Sequence, residues 1–228
     1  MKRSNQRAIV IGSAVVAVAG LIAGAHKLHA SYATHQACES VRADGRSAGT
    51  VDVTGSGPLR ITVIGDSYAA GDSLADRTDA WVNVFAAETD ATVTVLAEGG
   101  TGFTNPGFCG DNAFGSRVDR VAATKPDLVI IEGGLNDVGA SAEDEQTAVR
   151  SMLRGLDAFD IVMVGPVDVP AVTGEAKVDA SLEEAASLAK VRYVSALRWD
   201  IDLGTDDKHP SARGHTEFAR RLSAAIAG

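Results

Sequence analysis

The stretch Leu59-Arg60-Ile61-Thr62-Val63-Ile64-Gly65-Asp66-Ser67-Tyr68-Ala69-Ala70-Gly71 decides the fold class. Its centre, Ile61-Thr62-Val63-Ile64, is a short β-branched run of the kind found in strands buried on both faces. Gly65-Asp66 breaks the run, and Tyr68-Ala69-Ala70-Gly71 can open a helix. Strand, tight turn and helix are the unit from which parallel sheets are built.

The alternation continues along the chain. Further apolar runs lie at Ala91–Leu96, Leu128–Ile131, Ile161–Val164 and Val191–Val194. Between and after them, helical periodicity marks Ala80–Glu88, Ser116–Ala123, Ala142–Ala158, Ala180–Lys190 and Ser211–Ala227. Ser141, followed by Glu143, Asp144 and Glu145, reads as a helix cap with acids in the first turn. A five-stranded parallel sheet, covered by helices on both faces, is therefore expected over residues 59–228. Residues 26–58 are polar and rich in Gly, Ser and Thr; they read as a tether with one irregular edge segment at Thr50–Val53. There is no internal repeat.

The N-terminus reads as a targeting segment. Lys2, Arg3 and Arg7 precede Ala8–Ala25, which carries no charge. This apolar stretch lies between a secretory h-region of ~7–15 residues and a membrane span of ~20. Ala23-Gly24-Ala25 resembles a cleavage site, so both a cleaved signal peptide and an anchor remain open over residues 1–25. Either places the domain outside the cytoplasm, secreted or tethered to a membrane through residues 8–25. In that compartment the two cysteines, Cys38 and Cys109, are expected to form a disulfide, with two unpaired thiols as the alternative. The formal charge is −9, and without the first three bases it is −12 (18 bases against 30 acids). So acidic a domain is a poor partner for nucleic acid. It is expected to act as a monomer on a small substrate.

Three motifs fall where strands of such a sheet end, the edge at which open α/β sheets bind ligands. Ser67 lies at the first. Taken alone it is equally a helix-capping serine, and Gly65-Asp66-Ser67-Tyr68 is not the Gly-x-Ser-x-Gly elbow of α/β-hydrolases. Gly134-Leu135-Asn136-Asp137 follows the third run and offers the uncharged amide of Asn136, which in isolation also fits an ordinary turn. Asp206-Asp207-Lys208-His209 precedes the last helix. Its spacing lets Asp206 reach the ring of His209 and leaves the far nitrogen free to take a proton from a serine. A metal site built from Asp206, Asp207, His209 and His215 matches no ligand spacing of known type, and neither metal nor cofactor is expected. Gly99-Gly100-Thr101-Gly102-Phe103 follows the second run and can bring backbone N–H groups close to a ligand. As a dinucleotide fingerprint it fails at Asn105.

In this order the motifs resemble those of the SGNH hydrolases, also called the GDSL esterase/lipase family, over about Leu59 to Gly228. Tyr68 stands where the family name has Leu, and Ala97-Glu98 stands where an Asn is usual. The resemblance implies a flavodoxin-like α/β/α sandwich and cofactor-free hydrolysis of carboxylic esters or thioesters. It implies Ser67 as nucleophile, His209 as base and then acid, and Asp206 as its orienting acid. The N–H groups of Ser67 and Gly102, with Gly100 as the alternative glycine, and the Asn136 side chain would hold the oxyanion. An acyltransferase acting on an envelope glycan, and a non-catalytic envelope-binding module, stay open as alternatives.

Overall fold

The computed structural model describes residues 32–41, 43 and 52–227, which fall in two compact units within Met1–Ser40 and Val41–Gly228. The expected targeting segment, residues 1–25, lies outside the described residues. Residues 32–41 are helical (α1), with the Gln36 amide donating to Tyr32 Oη at 2.7 Å. The expected tether thus contains a helix. Ala33, Gln36, Ala37 and Glu39 favour one, and the glycines of the stretch lie beyond it, at 45, 49, 55 and 57. Among the described residues, no helix is long and apolar enough to cross a membrane.

The second unit is built on six strands rather than five: β1 (Asp52–Thr54), β2 (Leu59–Gly65), β3 (Ala91–Ala97), β4 (Leu128–Glu132), β5 (Ile161–Val164) and β6 (Arg192–Val194). Their order is β1-β3-β2-β4-β5-β6, all parallel except β1, which pairs antiparallel with β3. The extra strand grows from the expected edge segment. It is short and exposed, as edge strands commonly are. Gly57 lets the chain leave it against β3, because a Cβ there would meet the Asp90 carbonyl oxygen at 1.6 Å.

The helices are α2 (Ser67–Ala70), α3 (Trp81–Thr89), α4 (Val118–Thr124), α5 (Ala142–Gly155), α6 (Glu175–Ala189) and α7 (Ala212–Ala227). Side chains alternate across the strands and feed two cores. Ile61, Val63, Ile130, Val162 and Val164 face one core with Trp81, Phe85, Phe218 and Leu222 of α3 and α7. Ile64, Val129, Ile131 and Met163 face the other with Val121, Val149, Leu153 and Leu182 of α4, α5 and α6. This is the expected three-layer α/β/α sandwich.

Two helix boundaries differ from expectation by three residues or more. α5 stops at Gly155, and α6 begins at Glu175, five residues before Ala180. The cap at Ser141 is as expected: its side chain accepts from the Asp144 N–H at 3.1 Å. The chain leaves β2 for β3 on one side and later crosses back to β4 on the other. The sheet therefore changes winding direction at β2, and the crevice beyond its carboxyl end is where such sheets bind ligands.

Candidate active site

Ser67 is the first residue of α2, directly beyond β2, and is 4% exposed. The turn that puts it there is tightly specified. A Cβ on Gly65 would lie 2.5 Å from Ala69 Cβ. Asp66 caps α2 by accepting from the Tyr68 N–H at 3.0 Å. Gly71, at φ 69°, ends the helix after one turn, and the Asp72 N–H closes back on Ser67 O at 2.9 Å.

Asp206 and His209 meet as their spacing implies. Asp206 Oδ2 lies 2.6 Å from His209 Nδ1. Oδ1 accepts from the Lys208 and His209 N–H groups at 3.1 and 2.9 Å. Partial burial opposes the charge on Asp206, but the hydrogen bonds from His209 and Lys208 outweigh it and hold the carboxyl well below the usual carboxylate range. An ionised carboxylate only accepts, so Nδ1 carries a proton, and in the neutral ring Nε2 then keeps its lone pair. No hydrogen bond joins Ser67 to His209 among the described residues; the His209 ring is shared between Asp206 and Ser73. Catalytic hydrogen bonds commonly tighten only when substrate binds.

Asn136 is brought to the same edge. Its amide donates to Asp66 Oδ2 at 3.2 Å and to Thr101 O at 2.9 Å, which links the turns after β2, β3 and β4. The Gly102 N–H is donated to Asn105 O at 2.9 Å. The absence of a side chain at Gly102 has a separate cause, since a Cβ there would lie 2.3 Å from Asp137 Oδ2. The buried Asp137 carboxylate accepts from the Phe103, Thr104 and Asn105 N–H groups at 3.0, 2.7 and 3.3 Å, and from Thr104 Oγ1 at 2.6 Å. It fastens the Gly102 loop to the Asn136 turn. Sequence reasoning gave Asp137 no role, although it lies within a motif.

Arg117 was likewise unmarked, because a lone arginine in a helical segment normally faces solvent. Here it is 1% exposed and spends five N–H donors on five acceptors. Nη1 donates to Gly65 O at 2.6 Å and Leu96 O at 2.8 Å, joining the carboxyl ends of β2 and β3. Nη2 donates to Thr101 Oγ1 at 2.6 Å and Asn112 O at 2.8 Å, and Nε to Asn112 Oδ1 at 3.1 Å. Burial lowers its pKa to about 10, against the buried Glu98 carboxylate that favours its charge, so it stays a cation at neutral pH. Glu98 also accepts from Asn112 Nδ2 at 2.8 Å. An acid at position 98 thus supplies the counter-charge that Arg117 needs in a dry interior.

A pair of buried acids, Asp66 and Glu132, flanks the Ser67 turn. Burial raises Asp66 to about 6, against the Tyr68 N–H and the charges of Lys208 and His209. Burial, and then the neighbouring Asp66, push Glu132 well above the carboxylate range, against the Trp81 indole N–H and the Ala69 backbone N–H. His215 is fully buried beneath the site, where its Nδ1 accepts from the Trp81 backbone N–H at 3.1 Å. Burial, then His209, lower its pKa to about 4, so it is neutral. Among the described residues, no group of three or more His, Cys, Asp or Glu is arranged to hold a metal ion. Cys38 and Cys109 are each disulfide-bonded, as expected, rather than free thiols.

Residues 63–216 match the model of the GDSL-like lipase/acylhydrolase family. The chain belongs to this family. It is accordingly a carboxylic ester hydrolase, the activity class its resemblance implied. No curated protein matches it in sequence. Solved structures share the fold. A family two carbohydrate esterase from Clostridium thermocellum, in complex with cellohexaose, is similar with a TM-score of 0.59 and 22% identity, over 74% of this chain and 63% of that one. The psychrotrophic esterase EstA from Pseudoalteromonas sp., inhibited by monoethylphosphonate, is similar with a TM-score of 0.59 and 18% identity, over 74% and 96%. A family two carbohydrate esterase from Cellvibrio japonicus gives 0.57 and 19%, over 75% and 61%.

Two stability predictions follow from the buried polar groups of this GDSL-like domain. Arg117→Lys keeps the charge but offers three donors in place of five, leaving buried carbonyls unpaired. It should lower unfolding free energy by ~3–5 kcal/mol in urea titration; a loss below ~1 kcal/mol would contradict the network's weight. Asp66 and Glu132 bind protons more tightly folded than unfolded. Their contribution is therefore greatest below the unfolded values of ~4 and fades as pH rises, for Asp66 through about 6. Glu132→Gln removes one acid and relieves the other. Calorimetry from pH 5 to 8 should show the variant gaining on wild type as pH rises, whereas a constant difference would refute the coupling.

Proposed function

We propose that this protein is an extracytoplasmic serine esterase in which Ser67, His209 and Asp206 act as a triad through an acyl-enzyme. The observation that carries this reading is the Asp206–His209 pair at 2.6 Å, on the loop that Tyr68, the residue after Ser67, reaches by hydrogen bond. With Nδ1–H held by Asp206, Nε2 takes the Ser67 proton as Oγ attacks the ester carbonyl. It then returns the proton to the leaving alkoxide, and water repeats the sequence on the acyl-enzyme.

The developing oxyanion needs donors fixed in advance. The Ser67 N–H, at the first position of α2, is among the amides a helix leaves unpaired. The Asn136 amide supplies the second donor by exchanging its longer bond, to Asp66, for the oxyanion. A contribution from Gly102 requires release of its bond to Asn105 O, so Ser67 and Asn136 carry the larger part.

The proposed substrate is a small acyl ester, with an acylated glycan as the favoured form, given the carbohydrate esterases among the structural neighbours. Placement outside the cytoplasm is supported by the disulfide-bonded cysteines and by the charged, then apolar, start of the chain. The domain is proposed to work as a monomer, without a cofactor.

The test is turnover of p-nitrophenyl acetate. Ser67→Ala should remove it to background with an unchanged circular dichroism spectrum. Asn136→Ala should lower kcat ~10²–10³-fold with a smaller change in KM. Retained activity in the Ser67 variant overturns the mechanism; a KM effect alone at Asn136 would make it a substrate-positioning group.

A further inference from the structure

The helical turn that carries Ser67 also sends two hydroxyls to the loop that carries His209. Tyr68 is 3% exposed, and its Oη donates to the Lys208 carbonyl at 2.6 Å, one residue before His209. Its ring is edged by His209, His215 and Phe218 at centroid distances of 6.1, 6.4 and 6.3 Å, so its direction is set by packing. Ser73, just past α2, lies 3.3 Å from His209 Nδ1 and 3.5 Å from Asp206 Oδ2. Since Nδ1–H is a donor, Ser73 Oγ is its second acceptor, and the hydroxyl proton points to the carboxylate.

The backbone adds an independent sign. Ser73 has φ 68°, in the left-handed region where glycine is at ease and serine is not. A glycine would sit there without strain, and the hydroxyl is what a serine adds to the position. Tyr68 tells the same story in sequence, since a leucine at that position offers no hydroxyl to hold a loop.

We propose that Tyr68 and Ser73 are positioning residues for His209: they lock the acid–histidine loop to the nucleophile turn, so that base and nucleophile move as one body. The inference rests on the esterase reading above and deepens it. Neither hydroxyl touches the reacting carbonyl. Tyr68 sets the height of the loop through Lys208 O, and Ser73 limits rotation of the imidazole about its bond to Asp206.

The experiment compares kcat, KM and melting temperature for wild type, Tyr68→Phe, Ser73→Gly and Ser67→Ala on p-nitrophenyl acetate. Tyr68→Phe removes one oxygen and keeps the ring. It should lower kcat about 5–10-fold with KM within about twofold, the loss of one well-placed hydrogen bond. Ser73→Gly deletes the hydroxyl and relieves the backbone, so kcat should fall about 3–10-fold while the melting temperature holds or rises. A purely structural serine would give the same melting behaviour with kcat intact. Unchanged kcat in both variants, or a rise in KM alone, overturns the proposal while Ser67-dependent turnover stands. Turnover that survives Ser67→Ala overturns the esterase reading, and the proposal falls with it.

Discussion

The five hydrogen bonds of Arg117 are the constraint on which the site depends. Parallel strands end in carbonyls that the next turn must either satisfy or leave to water. At the carboxyl ends of β2 and β3 one guanidinium meets both Gly65 O and Leu96 O, and the Glu98 N–H also reaches Gly65 O at 3.3 Å. It thereby fixes the point at which the chain departs toward Ser67 and, through Thr101, the loop after β3. A buried cation is costly unless its charge and every donor are matched. Glu98 and Asn112 supply that match, so a substitution anywhere in the group disturbs the positions of both proposed oxyanion donors.

Acids do most of the remaining construction. Asp66 caps α2, Asp137 gathers the Gly102 loop, and Asp206 caps its own turn and holds the His209 ring. Each accepts from backbone N–H groups, and for Asp66 and Asp137 these bonds offset the cost of burying a carboxylate. The consequence is a site whose two edges differ in solvation. The Asp206 carboxylate is open enough to stay ionised, whereas Asp66 and Glu132 beneath the serine are dry and hold protons more tightly.

Much of this was legible from local pattern. Short β-branched runs alternating with helical segments dictated a parallel sheet, and the motifs at strand ends marked its functional edge. Asp206 and His209 could be paired by spacing alone, since three residues bring a carboxylate to an imidazole within one turn. What escaped has a common physical origin. β1 has no apolar periodicity, because an edge strand of three residues buries almost nothing. Arg117 and Asp137 are charged residues whose value lies in partners distant in sequence, such as Gly65 O and the Thr104 N–H. The bond between the Gly102 N–H and Asn105 O depends on how a four-residue turn closes, which composition does not encode. Glu98, which broke the expected pattern, reads as a requirement once Arg117 is seen beside it.

The central claim is that Ser67 is the nucleophile, held beyond the carboxyl end of β2 by its own helical turn. The most direct measurement is covalent capture. The protein is treated with a fluorophosphonate, and the digested adduct is located by mass spectrometry. The account predicts a single phosphonylated site at Ser67, with labelling suppressed by His209→Ala. An adduct on Ser73 instead, or no adduct on a protein that still hydrolyses esters, would contradict it.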